Sequence, residues 1–61
     1  MELTVRQKDI LKAAIAIIAN QGYEKLTIKN LATKIGVTEA ALYRHFKSKR
    51  EIVTMILSYF E

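Results

Sequence analysis

Residues 35–46 read IGVTEAALYRHF, and this stretch decides the fold. Its Gly-Val pair interrupts an apolar pattern, and Thr38 follows as a residue type that favours the cap position of a helix. Leu42 and Phe46 are four residues apart, so a helix that starts after Thr38 carries both of them on its inward side. The stretch therefore predicts a tight turn followed by a short helix over 39–46.

A second helical pattern leads into this turn. Thr27 is a candidate N-cap, and the apolar residues after it recur at helical spacing over 28–35. Gly36 then ends the pattern, since glycine is common just beyond the last turn of a helix. The apolar positions of this predicted helix are Ile28, Leu31, Ala32 and Ile35.

A longer helix comes before this pair. Thr4 and Gln7 have the form of a capping box, a pairing that satisfies free N–H groups at a helix start. The pattern predicts a helix over about 4–21, ended by Gly22. Its inward side is formed by Ile10, Leu11, Ala14, Ile17 and Ile18.

A last helix is predicted over 49–61, where Ser48 and Glu51 again have the form of a capping box. No proline occurs, and no sustained alternation of apolar and polar residues indicates a strand, so the predicted fold is all-α. The last pattern has no stop signal, and we expect residues 1–61 to be the amino-terminal domain of a longer protein. Its apolar side carries Ile52, Val53, Ile56 and Phe60.

Length and composition exclude several classes of function. A chain of 61 residues forms one domain and buries about 60% of the surface that its unfolded form exposes. It has no cysteine and one histidine, so we expect no disulfide, no zinc site and no cofactor. Paired carboxylates in a plausible pocket and a glycine loop that cradles phosphate are also missing, which argues against an enzyme.

The protein is expected to be soluble and cytoplasmic. Its start, MELTVRQKD, has acidic and polar residues where a signal peptide carries its apolar segment. The longest apolar run, residues 13–19, is far shorter than the roughly 20 residues that a transmembrane helix needs.

The positive charge is concentrated in the middle of the chain. Residues 25–50 hold seven cationic side chains and a single acid, Glu39, for a net charge of +6, whereas the rest carries −2. Such a segment suits a polyanion such as nucleic acid, or an anionic membrane surface. From charge alone, a solvated basic surface is an equal alternative. The cations are Lys25, Lys29, Lys34, Arg44, Lys47, Lys49 and Arg50.

Two short helices joined by a tight turn make a helix-turn-helix, whose second helix can enter the roughly 12 Å wide major groove of DNA. Glu39, Ala40 and Ala41 form the first turn of that helix, the part that points at base edges. Alanine lets the backbone come close and can touch a thymine methyl, and a carboxylate can accept a hydrogen bond from cytosine. For Glu39 the alternative is an ordinary acid in a first helical turn.

Residues around this turn can bind phosphate. Tyr43, Arg44 and His45 come one turn later and can all donate hydrogen bonds, although the tyrosine could instead pack and the histidine could instead bind a backbone carbonyl. Lys47 and Lys49 lie at the start of the last helix, whose positive dipole end also favours phosphate. On the other side we expect phosphate contacts from Thr27 and Lys29; the capping role comes first for Thr27 and Thr38.

The segment LTIKNLATKIGVTEAALYRHFKSKREIV resembles the DNA-binding signature of TetR-like transcriptional regulators. The shared features are a glycine that closes the first helix, Leu-Thr at the start of the second, Leu-Ala and Gly-Val around the turn, and Leu-Tyr and Phe in the recognition helix, followed by a lysine. The spacing is specific and covers nearly the whole chain. It involves Gly22, Thr27, Ala32, Gly36, Val37, Leu42, Tyr43, Phe46 and Lys49.

The resemblance implies a homeodomain-like, three-helix helix-turn-helix bundle plus the start of a fourth helix. It also implies a prokaryotic homodimer, usually a repressor, that binds a palindromic operator in double-stranded DNA. In such proteins a C-terminal domain, absent from these residues, dimerises and binds a small-molecule effector. The residues that match typical contributors to base or phosphate contacts are Lys29, Thr38, Glu39, Ala40, Ala41, Tyr43, Arg44, His45 and Lys49.

A basic helical module that binds a membrane surface or a partner protein is the competing class. A membrane-surface helix needs its cations along one long face. Here the cations cluster at predicted helix starts and around a turn, as phosphate contacts require. The sequence therefore favours DNA binding without membrane association, and it leaves open whether the regulator represses or activates.

Overall fold

The computed structural model describes residues 3–59, and within that range it contains four α-helices and one short 3₁₀ turn. The described range holds neither a strand nor a helix long and apolar enough to cross a bilayer, and the all-α prediction is confirmed. Helix α1 packs against α2 and α4, and α2 packs against α3. The elements are α1 (Val5–Gln21), the 3₁₀ turn (Tyr23–Lys25), α2 (Ile28–Ile35), α3 (Glu39–Tyr43) and α4 (Lys49–Tyr59).

Capping side chains begin the two longer helices as predicted. The Thr4 hydroxyl accepts from the Gln7 backbone N–H at 3.0 Å, and the Gln7 side-chain carbonyl accepts from the Thr4 N–H at 3.0 Å. At the start of α4, the Glu51 N–H donates to the Ser48 hydroxyl at 3.3 Å, and the Glu51 carboxylate accepts from the Lys47 N–H at 3.4 Å. These bonds satisfy N–H groups that have no partner inside the helix.

The turn between α2 and α3 depends on a left-handed residue. Gly36 has φ 75° and ψ 34°, and its N–H donates to the Thr33 carbonyl at 3.3 Å. The Val37 N–H donates to the Ala32 carbonyl at 3.0 Å, which completes the bonding of a Schellman motif. Val37 also packs on the core, so the chain reverses with its polar groups satisfied and an apolar side chain anchored.

Helix α3 is shorter than predicted, because its regular part ends at Tyr43 and not at Phe46. The carbonyl of Leu42 accepts from both the His45 and the Phe46 N–H at 2.9 Å, which tightens the end of the helix into a turn. Arg44 keeps a right-handed helical conformation with φ −72° and ψ −25°. The turn still brings Phe46 to the core, where its side chain is buried.

Apolar side chains from one side of each helix pack together to form the core. Among the predicted inward residues, Ile18, Ile28, Ile35, Val53 and Ile56 are half-buried, and Leu26, which the periodic pattern did not include, is fully buried. Phe60, predicted to face inward, lies outside the described residues. The buried apolar side chains are Ile10, Leu11, Ala13, Ala14, Ile17, Leu26, Leu31, Ala32, Leu42, Phe46 and Ile52.

The two glycine turns differ in the cost of adding a side chain. Gly22 has φ 98° and ψ 158°, a region that only glycine adopts readily, and an added Cβ would lie 2.7 Å from a Glu24 carboxylate oxygen. That carboxylate can move, so the backbone conformation sets the cost. Gly36 is in the left-handed helical region, with open space around an added Cβ.

We therefore expect Gly22→Ala to lower the free energy of unfolding by about 2–3 kcal/mol and Gly36→Ala by about 1–2 kcal/mol. Gly36→Asn should cost less than Gly36→Ala, because asparagine tolerates the left-handed region. Urea unfolding followed by circular dichroism measures all three changes. Equal losses for both alanine variants would show that the backbone conformation of Gly22 does not set its cost.

Candidate nucleic-acid interface

The first turn of α3 is presented on the surface, as base reading requires. Thr38 precedes it in an extended conformation, and its hydroxyl accepts from the Ala41 N–H at 3.1 Å. Glu39 and Ala40 are exposed, whereas Ala41 is half-buried. Because Leu42 is buried, α3 is anchored on one side and offers its beginning on the other.

The three polar side chains that end α3 differ in their exposure. Tyr43 is 50% exposed, which disfavours the alternative of a packing tyrosine, and Arg44 is exposed. His45 is half-buried in the turn that follows the helix. Tyr43 and Arg44 are thus free to contact a partner, and His45 presents part of its ring.

An arginine from α1 joins this region, although the sequence patterns did not single it out. Arg6 lines a shallow concavity of about 190 Å³ together with Ala41, Arg44 and His45. Its floor is apolar and includes Ile10. The concavity thus brings the first turn of α1 near the end of α3, and no local sequence pattern indicates that proximity.

The start of α2 carries Thr27 and Lys29, both exposed. The Thr27 hydroxyl caps the helix by accepting from the Asn30 N–H at 3.0 Å. The Asn30 side-chain amide donates to the Lys25 carbonyl at 2.8 Å and so ties α2 to the 3₁₀ turn. The sequence correctly predicted the cap, and these bonds fix the position of the exposed hydroxyl.

The start of α4 carries Lys47, which is exposed, and Lys49, which is half-buried. The Lys49 ammonium lies 4.1 Å from the centre of the Tyr23 ring, a cation–π contact between α4 and the 3₁₀ turn. Tyr23 itself is 53% exposed. The sequence patterns did not indicate Tyr23, since a contact between residues so distant in the chain leaves no spacing signal.

The threonine hydroxyls that cap α2 and α3 can still donate hydrogen bonds at the surface. A threonine hydroxyl that accepts from a backbone N–H keeps its own O–H hydrogen, so Thr27 and Thr38 can cap a helix and donate to an anion together. The starts of α2 and α4 also present the positive ends of helix dipoles. Glu39 is the one acid within the basic segment 25–50.

The interior of the domain carries no comparable chemistry. Within residues 3–59, no group of three or more His, Cys, Asp or Glu side chains could hold a metal ion. In the same range, no buried side-chain nitrogen or oxygen lacks a hydrogen-bond partner. No polar or charged side chain of the described residues is buried.

This arrangement agrees with a sequence comparison. A model of the family described as bacterial regulatory proteins, tetR family, matches residues 10–56. The chain belongs to the tetR family. The matched residues correspond to the helix-turn-helix DNA-binding domain of that family. The resemblance stated from the sequence is confirmed.

Similar proteins include nucleoid occlusion factors and a transcriptional regulator. The chain is 39% identical over 56 residues to the nucleoid occlusion factor SlmA of Marinobacter nauticus, covering 92% of the chain and 29% of that relative. It is 41% identical over 51 residues to the uncharacterized HTH-type transcriptional regulator YvkB of Bacillus subtilis, covering 84% of the chain and 27% of that protein. The chain thus spans less than a third of the length of these relatives. No solved structure gives a significant match.

Thr38 has two expected roles, as the N-cap of α3 and as a hydrogen-bond donor to phosphate, and substitutions can separate them. Aspartate caps helices at least as well as threonine, but it donates no hydrogen bond and repels phosphate. Thr38→Asp should therefore keep the thermal stability and weaken binding to duplex DNA about tenfold, whereas Thr38→Ser should change neither property much. Fluorescence anisotropy and thermal unfolding provide the two measurements. Wild-type affinity in Thr38→Asp would show that this hydroxyl acts only as a cap.

Proposed function

We propose that this domain binds a palindromic operator by placing α3 in the major groove of double-stranded DNA. The observation that carries the proposal is the exposed first turn of α3, which follows the tight turn at Gly36 and is anchored by the buried Leu42. A helix presented in this way matches the docking geometry of helix-turn-helix proteins. The other groups around it can then fix its position by contacts with the DNA backbone.

The residues divide into two roles in this proposal. Glu39, Ala40 and Ala41 face base edges, since they form the turn that enters the groove first. The hydrogen-bond donors around that turn contact phosphates and set the register of the domain on DNA. These phosphate contacts come from Thr27, Lys29, Thr38, Tyr43, Arg44, His45, Lys47 and Lys49, and Arg6 is a further candidate because it lies beside Arg44 and His45.

We further propose that the full regulator is a cytoplasmic homodimer and a repressor that responds to a small molecule. Two recognition helices must lie about 34 Å apart to enter successive major grooves, and a dimer with a palindromic site satisfies that spacing. The expected effector-binding domain would follow α4 and pack on its exposed face, which includes Leu57. Helix α4 is about 16 Å long and would connect the DNA-binding helices to that domain. A displacement of α4 would therefore change the position of α3 relative to α3 of the second copy.

Nucleoid occlusion is a second candidate role, because several of the similar proteins carry that name. The identities to a nucleoid occlusion factor, 39%, and to a transcriptional regulator, 41%, are nearly equal. Both alignments cover the DNA-binding domain and less than a third of either relative. They support DNA binding in common and do not favour the second role over transcription regulation.

Selection of bound duplexes from random DNA tests the proposed reading mode. The wild-type protein should enrich a palindromic sequence, and Glu39→Gln should alter the base preference at one or two positions of each half-site, because position 39 faces base edges. Tyr43→Phe is the matched control. It should keep the selected sequence and weaken binding to every duplex by about 1 kcal/mol, since the lost hydroxyl contacts phosphate.

Two results would overturn this division of roles. A Glu39→Gln profile identical to that of the wild type would remove Glu39 from base reading. A loss in Tyr43→Phe confined to one operator sequence would show that the tyrosine reads a base. If no sequence is enriched by the wild type, α3 does not recognise bases.

Salt dependence tests the electrostatic part of the proposal. If each monomer neutralises two to four phosphates, the logarithm of the association constant should decrease linearly with the logarithm of the salt concentration. The slope should be about −0.9 for each phosphate. Lys49→Ala should reduce this slope by about one unit. Lys12→Ala removes the same charge from an exposed position on α1, outside the basic segment, and should leave the slope unchanged.

A flat salt response of the wild type would argue against phosphate contacts. Equal reductions in both lysine variants would show that net charge, and not the position of Lys49, controls binding. Comparable affinity for anionic vesicles would favour the membrane-surface alternative.

A further inference from the structure

Tyr23 has no part in the core, although it lies in the 3₁₀ turn that connects α1 to α2. Its side chain is 53% exposed, and the Lys49 ammonium lies 4.1 Å from the centre of its ring. This distance is well within the range of a favourable cation–π interaction. The contact joins the turn between α1 and α2 to the start of α4.

The backbone that carries Tyr23 is held from several directions. The Lys25 N–H donates to the Gly22 carbonyl at 3.1 Å, and the Leu26 N–H donates to the Tyr23 carbonyl at 3.0 Å. Leu26 is buried in the core, and the Asn30 side chain donates to the Lys25 carbonyl at 2.8 Å. The ring is therefore attached to a fixed turn, against which a flexible lysine can be oriented.

A ring in this position restricts Lys49 without using its hydrogen-bond donors. A lysine ammonium has three N–H donors and a long side chain that loses rotamer freedom when it is immobilised. The ring attracts the charge from one side, so the donors on the opposite side stay available to a phosphate. The Lys49 side chain is then already partly ordered in the free protein, so less conformational entropy is lost when it binds a phosphate.

We propose that Tyr23 is a positioning residue for DNA binding, whose ring holds the Lys49 ammonium where it donates to a DNA phosphate. This inference rests on the proposed function, since it requires Lys49 to contact the DNA backbone. The same fixed turn is bonded to the start of α2, so it sets the positions of Lys49 and of the Thr27 region together.

Binding to a random-sequence duplex at low salt tests the proposal, because phosphate contacts dominate such binding. Tyr23→Leu removes the aromatic ring, and Tyr23→Phe keeps the ring but removes the hydroxyl. Tyr23→Leu should weaken binding about threefold, the loss expected for an exposed cation–π contact, whereas Tyr23→Phe should bind like the wild type. In a Lys49→Met background, the same Tyr23→Leu change should have no further effect.

A spectroscopic measurement separates positioning from a general effect on the fold. The methylene protons next to the Lys49 ammonium should resonate upfield of those of the other lysines, because the Nζ to which that methylene is bonded lies over the Tyr23 ring. The shift should persist in Tyr23→Phe and in the DNA complex, and it should vanish in Tyr23→Leu. Thermal unfolding should be nearly unchanged in both variants, since the Tyr23 side chain is half exposed.

Each alternative outcome has a distinct meaning. Tighter binding by Tyr23→Leu would show that the ring withholds the ammonium from DNA, and unchanged binding would show that it has no role; both overturn the inference while the proposed function stands. A Tyr23→Phe loss equal to that of Tyr23→Leu would assign the effect to the hydroxyl and overturn the role of the ring. If the wild type does not bind the duplex in a salt-dependent manner, the proposed function fails and this inference fails with it.

Discussion

The left-handed conformation of Gly36 is the constraint on which the candidate DNA-binding surface depends. It lets the chain leave α2 with its last carbonyls satisfied and begin α3 after three residues, with Val37 anchored on the core. Leu42 and Phe46 are then buried, and the opposite side of α3 is turned to solvent. A residue that could not adopt this conformation would change the angle between the two helices and so misdirect the first turn of α3.

Helix capping joins the stability of this small domain to its function. A domain of this size has little stability to spare, and each N-cap contributes about 1 kcal/mol. Thr27 and Thr38 provide such caps, and both are exposed residues for which phosphate contacts are proposed. The bonds that begin α2 and α3 therefore also set the positions of donors at the candidate interface. The described residues include no buried polar side chain, so the polar groups of the surface are positioned by these capping bonds.

Features with a local cause could be predicted from the sequence. The caps at Thr4, Thr27 and Thr38, and the helix ends at Gly22 and Gly36, depend on residues only a few positions apart, and the structure agrees with all of them. The end of α3 was placed three residues too late, because its last turn is tightened by two donors that share one carbonyl. Apolar spacing cannot distinguish that turn from a regular helix.

Features with a tertiary cause could not be predicted in the same way. Arg6 lines the same concavity as the end of α3, and the Lys49 ammonium lies over the Tyr23 ring, because the packing of the helices brings together residues that are distant in the chain. Leu26 is buried for a similar reason, although it belongs to no periodic pattern. The sequence predicted a DNA-binding surface around α3 and named most of its candidate residues. The side chains that support that surface became visible only with the packing of the helices.

The central claim is that the first turn of α3 enters the major groove, and nuclear Overhauser contacts from Ala40 to DNA test it most directly. The Ala40 methyl is exposed at the start of α3, whereas that of Ala41 is half-buried. In a complex with a selected duplex, the Ala40 methyl should show contacts with major-groove protons, namely thymine methyl groups and cytosine H5. Contacts only with minor-groove or sugar protons, or contacts with DNA confined to the exposed end of α4 near Leu57, would contradict the account.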